Sequence, residues 1–298
     1  MPDYSPLKAK FGEHCLFGEP AANFTTYKAG GRAEAVVKPG SREELEWLAG
    51  WCRAGSVPLR VLGRGSNVLV SDRGLPGVTV LTERLAKMEV SGDTITAQAG
   101  VLWDSLALLS VERGLSGLEK TSGIPGSVGG ALRMNAGAFG QEAYDRLEYL
   151  EGFTVSGSPV RLEKRNMTYG YRHVDGIDGL ILVAAAFSFT QGDKSVLLQD
   201  RSFILAAREA RQPLDYPSAG SVFKRPPGDY ASRLIDAAGL KGLKIGGAEV
   251  SAKHAGFIIN SGGATASDIR ALMGEVRAQV LTKTGVTLEL EQILLGEF

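Results

Sequence analysis

The chain has 298 residues, with 33 basic and 33 acidic side chains balanced to no net charge. Such a chain is long enough for two or three subdomains, and it carries no overall field to draw it to nucleic acid or to an anionic membrane. Its 39 glycines exceed the ordinary share of ~7%, which calls for many tight turns or close backbone approaches to a ligand.

Cys15 and Cys52 form no metal or redox motif and read as free thiols, so no metal site is expected. The N-terminus has no apolar core of signal-peptide length. The longest apolar run, Leu180 to Phe189, is about half of a membrane helix. A cytoplasmic protein is expected.

Residues 1–20 read as a polar leader with weak periodicity. Ala33 to Val37 alternates as a short strand, and Ser41 with Glu44 makes a capping box for a helix through about Ala54. Pro58 to Leu62 and Val68 to Val70 are strand-like and flank Gly63-Arg64-Gly65-Ser66-Asn67. Val78 to Leu81, Met88 to Val90 and Thr94 to Ala97 follow as strands. Trp103 to Arg113 is a helix stopped by Gly114.

Tyr149 to Val155, Val160 to Leu162 and Leu180 to Phe189 are further strand candidates. The polar stretch Thr190 to Lys194 marks a domain boundary, and a helix runs from Val196 to Arg211. Pro217 to Phe223 leads into a strand, Asp229 to Ala238 is a helix stopped by Gly239, and Phe257 to Asn260 is a strand. Ser267 caps the next helix, and Val286 to Leu294 is the last strand.

Two glycine-rich segments stand out. The stretch from Thr121 to Gly140 holds six glycines, with Arg133 as its one charged residue. Ile124, Val128, Leu132, Met134 and Phe139 are interleaved with them, so an ordered, buried loop is expected rather than a linker. It could line a flat or phosphorylated ligand or simply join core strands. Gly63 to Asn67 follows a strand as a Gly-x-Gly, but the third glycine and the helix of a Rossmann fingerprint are missing. A backbone nest for a pyrophosphate remains, and a structural turn serves equally well.

Tyr169-Gly170-Tyr171-Arg172 offers either a surface guanidinium over apolar area or a fork for a ligand carboxylate. Ser221, after Ala219-Gly220, lacks the Gly-x-Ser-x-Gly elbow, and none of His14, His173 and His254 is placed to activate it. A hydrolytic serine is therefore disfavoured and a proton donor is the alternative. Lys224 and Arg225 suit diphosphate oxygens or a solvated rim. Glu289 and Glu291 alternate on the last strand and could be only its wet face.

Taken together, LGRGSNVL and SGIPGSVGGALRMNAGAFG resemble the UDP-N-acetylenolpyruvoylglucosamine reductase family. The likeness spans about Phe24 to Leu295, and the RPPG after Phe223-Lys224 resembles the family's shorter subtype. It implies an α+β fold: a vanillyl-alcohol-oxidase-type (PCMH-like) FAD-binding domain over 21–190, in subdomains of about 21–82 and 83–190. A substrate domain would occupy 195–298.

The resemblance further implies FAD bound by Gly63, Arg64, Gly65, Ser66 and Asn67, and by Ser122, Gly123, Ile124, Pro125, Gly126, Gly129, Gly130, Asn135, Ala136 and Gly137. Neither loop has His or Cys, so the flavin should be non-covalent. NADPH would reduce it and give way, in one shared cleft, to a sugar nucleotide whose enolpyruvyl group takes a hydride from flavin N5. Arg172, Ser221 and Glu291 match the family's catalytic residues, with Ser221 the proton donor. Tyr171, Arg211, Lys224, Arg225 and Lys253 would bind substrate. A monomer is expected, with no nucleic-acid or membrane partner. This chain differs from the family's usual pattern at Val174, at Arg211 and at Gln292-Ile293.

Overall fold

The computed structural model describes residues 2–298. Two compact units emerge, and the chain passes between them after residues 16, 34, 64, 76 and 208. The units therefore interleave in sequence, where consecutive segments were expected. Helices mix with antiparallel and parallel strands in both, in line with an α+β class.

The first unit holds the chain up to Leu16, Ala35–Arg64 and Gly77–Arg208. The expected leader is structured: Ser5–Phe11 is a helix that buries Leu7 and Phe11, four residues apart on one face. They join Leu45, Leu48 and Cys52 of the helix Arg42–Ala54 in one core. That helix starts as its sequence predicts, with the Ser41 hydroxyl accepting the Glu44 N–H at 3.2 Å. The Glu44 carboxylate reaches one residue further back than a capping box requires and takes the Gly40 N–H. Strands Leu59–Leu62 and Leu75–Leu81 pair in parallel beside it, Leu59 opposite Val78.

A second core lies on a five-stranded antiparallel sheet. Its order is Pro159–Glu163, Leu147–Thr154, Leu180–Ser188, Thr94–Gln98 and Met88–Ser91. Helices Trp103–Glu112 and Val128–Arg133 supply Trp103, Leu106, Val128 and Leu132 to this core. Trp103 is fully buried, packs edge-on to Phe187, and gives its indole N–H to the Thr121 hydroxyl at 3.0 Å. Truncating a side chain of this size in a core costs about 3–5 kcal/mol, so Trp103 is a main support under the glycine-rich stretch.

The second unit holds Phe17–Glu34, Gly65–Pro76 and Glu209–Phe298. Its core forms where the helix Ala266–Thr284 meets the helix Ala231–Ala237 and a three-stranded antiparallel sheet ending in Ile258–Asn260. The long helix is capped by Thr265 with Asp268, not by Ser267 as its sequence suggested. Ser267 sits inside the first turn, where its hydroxyl and N–H both go to the Asp72 carboxylate.

Two expected strands are much reduced. Pro217 to Phe223 makes only isolated bridges, Ser221 with Phe257 and Phe223 with Leu290. Val286 to Leu294 shrinks to Ile293–Leu295, paired in parallel with Val68–Val70. Pro217, Pro226 and the left-handed Gly220 (φ 73°) prevent a continuous ladder there.

Candidate active site

The stretch from Thr121 to Gly140 is ordered and half-buried, as its apolar interleaving predicts, but it contains a short helix. Ser127 caps that helix by accepting the Gly130 N–H at 3.3 Å. Val128 and Gly129 donate to the carbonyls of Val101 and Ala99, at 2.8 Å each. Gly63, at the end of its strand, lies so close that a Cβ there would stand 2.1 Å from the Ser127 hydroxyl. The two glycine segments therefore meet through Gly63 and Ser127, and only glycine permits that approach.

The start of the stretch is pinned by a carboxylate. Asp104 accepts the Gly123 N–H at 2.6 Å and both terminal nitrogens of Arg201 at 2.7 and 2.8 Å. The Arg201 hydrogen bonds hold the Asp104 carboxyl below its usual range, outweighing its partial burial. A depressed carboxyl contributes stability that is fully present above its unfolded pKa, about 3.9, and is lost as pH falls through the lower folded value. Thermal melts from about pH 7 to about pH 3 should therefore show Asp104→Asn with a lower Tm at neutral pH and a shallower acid-side fall than the parent. Parallel slopes would contradict the pairing.

A flavin dinucleotide needs backbone and hydroxyl donors at close range, and the residues here fit it. Ser122 is fully buried and its hydroxyl has no hydrogen-bond partner among the described residues, although such groups are normally satisfied. It sits in a chain turning through left-handed Gly123 (φ 73°) and Gly126 (φ 137°). Ile124, Pro125 and Ala136 are partly to largely accessible along the same stretch. Arg64 is exposed and lies 3.7 Å from Glu83.

The far end of the stretch is built into Arg172. The guanidinium donates to the carbonyls of Asn135 and Gly137, at 3.1 Å each, and lies over the Tyr171 ring. Asn135 is fully buried and left-handed (φ 39°), a conformation asparagine tolerates. Its amide donates to the Glu142 carboxylate at 2.7 Å and the Gly170 carbonyl at 3.0 Å, and its oxygen accepts the Tyr144 N–H. The amide thus ties the glycine-rich stretch to the hairpin that presents Arg172.

In the second unit, the segments that carry Ser221 and Glu291 lie side by side. Val222 accepts the Glu291 N–H at 2.9 Å and Glu289 accepts the Lys224 N–H at 2.8 Å, so 222–224 and 289–291 run antiparallel side by side. Both Ser221 and Glu291 are half-buried. Asn67 donates its amide to the Glu291 carbonyl at 3.1 Å, and its own carbonyl takes the Ile293 N–H. Ser66 is half-buried beside it, and Gly65 is left-handed at φ 61°.

The proposed substrate residues are more dispersed. Lys224 lies 3.4 Å from the Glu289 carboxylate, and Arg225 stacks on Tyr230. Lys253 reaches the Glu209 carbonyl at 2.6 Å, and Arg211 ends the helix Lys194–Arg211, exposed. His254 accepts the Gly256 N–H on Nδ1 and packs edge-on to Phe257, a structural placement in which burial lowers its pKa.

Comparison with known proteins covers nearly the whole chain. Residues 33–163 match the model of an FAD binding domain, and 212–295 that of the UDP-N-acetylenolpyruvoylglucosamine reductase C-terminal domain. The reductase of Listeria innocua serovar 6a is 42% identical over 98% of both chains. That of Alkalilimnicola ehrlichii is 44% identical over 94% of both. The crystal structure of the Thermus caldophilus reductase superposes with a TM-score of 0.81 at 35% identity, over 95% of this chain and 98% of that one. With the two glycine segments meeting and both matched domains in place, the chain belongs to the UDP-N-acetylenolpyruvoylglucosamine reductase family.

Proposed function

We infer that this chain reduces the enolpyruvyl ether of UDP-N-acetylenolpyruvoylglucosamine to UDP-N-acetylmuramate, a step in peptidoglycan precursor synthesis, using NADPH through bound FAD. Family membership across nearly the full length carries this reading, and it is supported by the segment 222–224, next to Ser221, running beside 289–291, which ends in Glu291. The bound flavin supplies the hydride chemistry, and the protein supplies position and charge.

The FAD would be held non-covalently by the glycine-rich stretch, with the Ser122 hydroxyl as a ready donor. Gly63 through Asn67 would serve its diphosphate. Addition at the terminal carbon of the enolpyruvyl group places negative charge on the neighbouring carbon and its carboxylate. Arg172, held flat by two carbonyls, would stabilise the carboxylate, and Glu291 would add to this by donating a hydrogen, either as the protonated acid or through a bridging water. Ser221 would transfer its hydroxyl proton to the carbanionic carbon and recover one from solvent. Tyr171, Arg211, Lys224, Arg225 and Lys253 would hold the sugar nucleotide, and the enzyme would work as a cytoplasmic monomer.

A different oxidoreductase on the same flavin fold, or a flavin carrier without activity, would not depend on Arg172, Ser221 and Glu291 together. The purified protein is expected to show a flavin spectrum released on denaturation. Beyond the one equivalent that reduces its flavin, it should turn over NADPH when the enolpyruvyl sugar nucleotide is supplied. Bound flavin with no substrate-dependent oxidation would reject the reading.

A further inference from the structure

The segment carrying Ser221 is gripped by a buried amide. Gln292 is 4% exposed and Tyr27 is fully buried. The Gln292 amide nitrogen donates to the carbonyls of Ala219 and Gly220, at 2.9 and 3.2 Å. Its oxygen accepts the Tyr27 hydroxyl at 2.9 Å. The orientation of this amide is forced, because two carbonyl oxygens can only accept and so must face the NH₂.

Tyr27 is itself anchored. Its carbonyl takes the Asn260 amide at 3.0 Å, and the Asn260 N–H goes to Pro217 at 2.8 Å, back on the same segment. The two gripped carbonyls lie immediately before Ser221, one of them on Gly220 in the left-handed region (φ 73°). A glycine peptide in that region is soft, so the orientation of the next residue depends on what holds its carbonyl.

We propose that Gln292 and Tyr27 are positioning residues that set the orientation of the Ser221 hydroxyl. Neither touches the reacting atoms, and the inference rests on Ser221 being the proton donor. The grip fixes the peptide planes on which proton transfer depends. A misplacement of about 1 Å at a reacting group costs on the order of a hundredfold in rate.

The test is single-turnover reoxidation of the NADPH-reduced holoenzyme by the enolpyruvyl sugar nucleotide, in H₂O and D₂O and across pH. In Gln292→Leu, flavin reduction by NADPH should be unchanged. Reoxidation should fall by about ten- to a hundredfold, with a larger solvent isotope effect as proton delivery becomes limiting. Tyr27→Phe should shift the same two quantities in the same direction by less, and it keeps the proposal testable if the leucine variant does not fold.

Gln292→Glu adds a pH signature. The buried carboxyl can donate to a carbonyl only when protonated and repels it when ionised, so its deficit should shrink as pH falls, unlike the parent's. Normal reoxidation and isotope effect in Gln292→Leu, Gln292→Glu and Tyr27→Phe, with Ser221→Ala disabled, would overturn this inference alone. So would equal loss of both half-reactions, which marks general damage. Normal reoxidation in Ser221→Ala would remove the reading on which it rests.

Discussion

In Ser221→Ala, the bound flavin is expected to be reduced by NADPH at the parental rate and then to remain reduced when substrate is added. As the proposed proton donor, the hydroxyl would have no part in the first half-reaction, whereas the second would leave a carbanionic carbon that must be protonated. A positioned general acid contributes about 10²–10⁴-fold, and the loss should fall in that range on reoxidation alone. Ser221 is half-buried and its backbone bridges to Phe257, so alanine removes an oxygen without breaking a backbone bond. Stopped-flow absorbance resolves the two steps. Equal slowing of both, or reoxidation at the parental rate, would remove Ser221 from its role.

The second large effect is expected at Arg172, and here charge alone should not suffice. The guanidinium already holds the carbonyls of Asn135 and Gly137, and a planar fork of five donors can do so while gripping a carboxylate bidentately. Lysine keeps the charge but gathers three donors on one nitrogen. Arg172→Lys is therefore expected to lose about 10²–10³-fold in substrate-driven reoxidation, close to Arg172→Ala, with flavin reduction largely intact. A lysine variant within a few-fold of the parent would mean that a point charge is enough. The positive φ of Arg172 (54°) strains both variants equally, so the comparison between them isolates the fork.

Much of this site was legible because its parts are local. The Gly63 to Asn67 and Thr121 to Gly140 segments declare themselves by composition, and the order of their apolar residues predicts burial. Caps next to helices are equally readable, as at Ser41. What escaped prediction depends on partners far away in the chain. Tyr27 and Gln292 are 265 positions apart, and nothing in either neighbourhood marks them as a pair. Asp104 was an ordinary helix residue until Arg201, 97 positions on, arrived beside it.

Ser267 was misassigned as a cap because Asp72, 195 positions earlier, takes both its N–H and its hydroxyl. The last strand was overestimated for a related reason. Gln292 turns into the core to hold Ala219 and Gly220, where its polarity had suggested nothing of the kind. Period-two alternation reports a face, but it cannot report a buried hydrogen-bond partner.

The central claim is that this chain saturates one carbon–carbon double bond of an enolpyruvyl sugar nucleotide. The most direct measurement is mass spectrometry of the nucleotide after incubation with the purified protein and NADPH, alongside the NADPH consumed. The expected product is heavier than substrate by two hydrogens, formed one for one with NADPH oxidised and about 10²–10⁴-fold more slowly in Ser221→Ala. NADPH oxidation with the nucleotide unchanged in mass, as expected if a reduced flavin passes its electrons to oxygen instead, would contradict it.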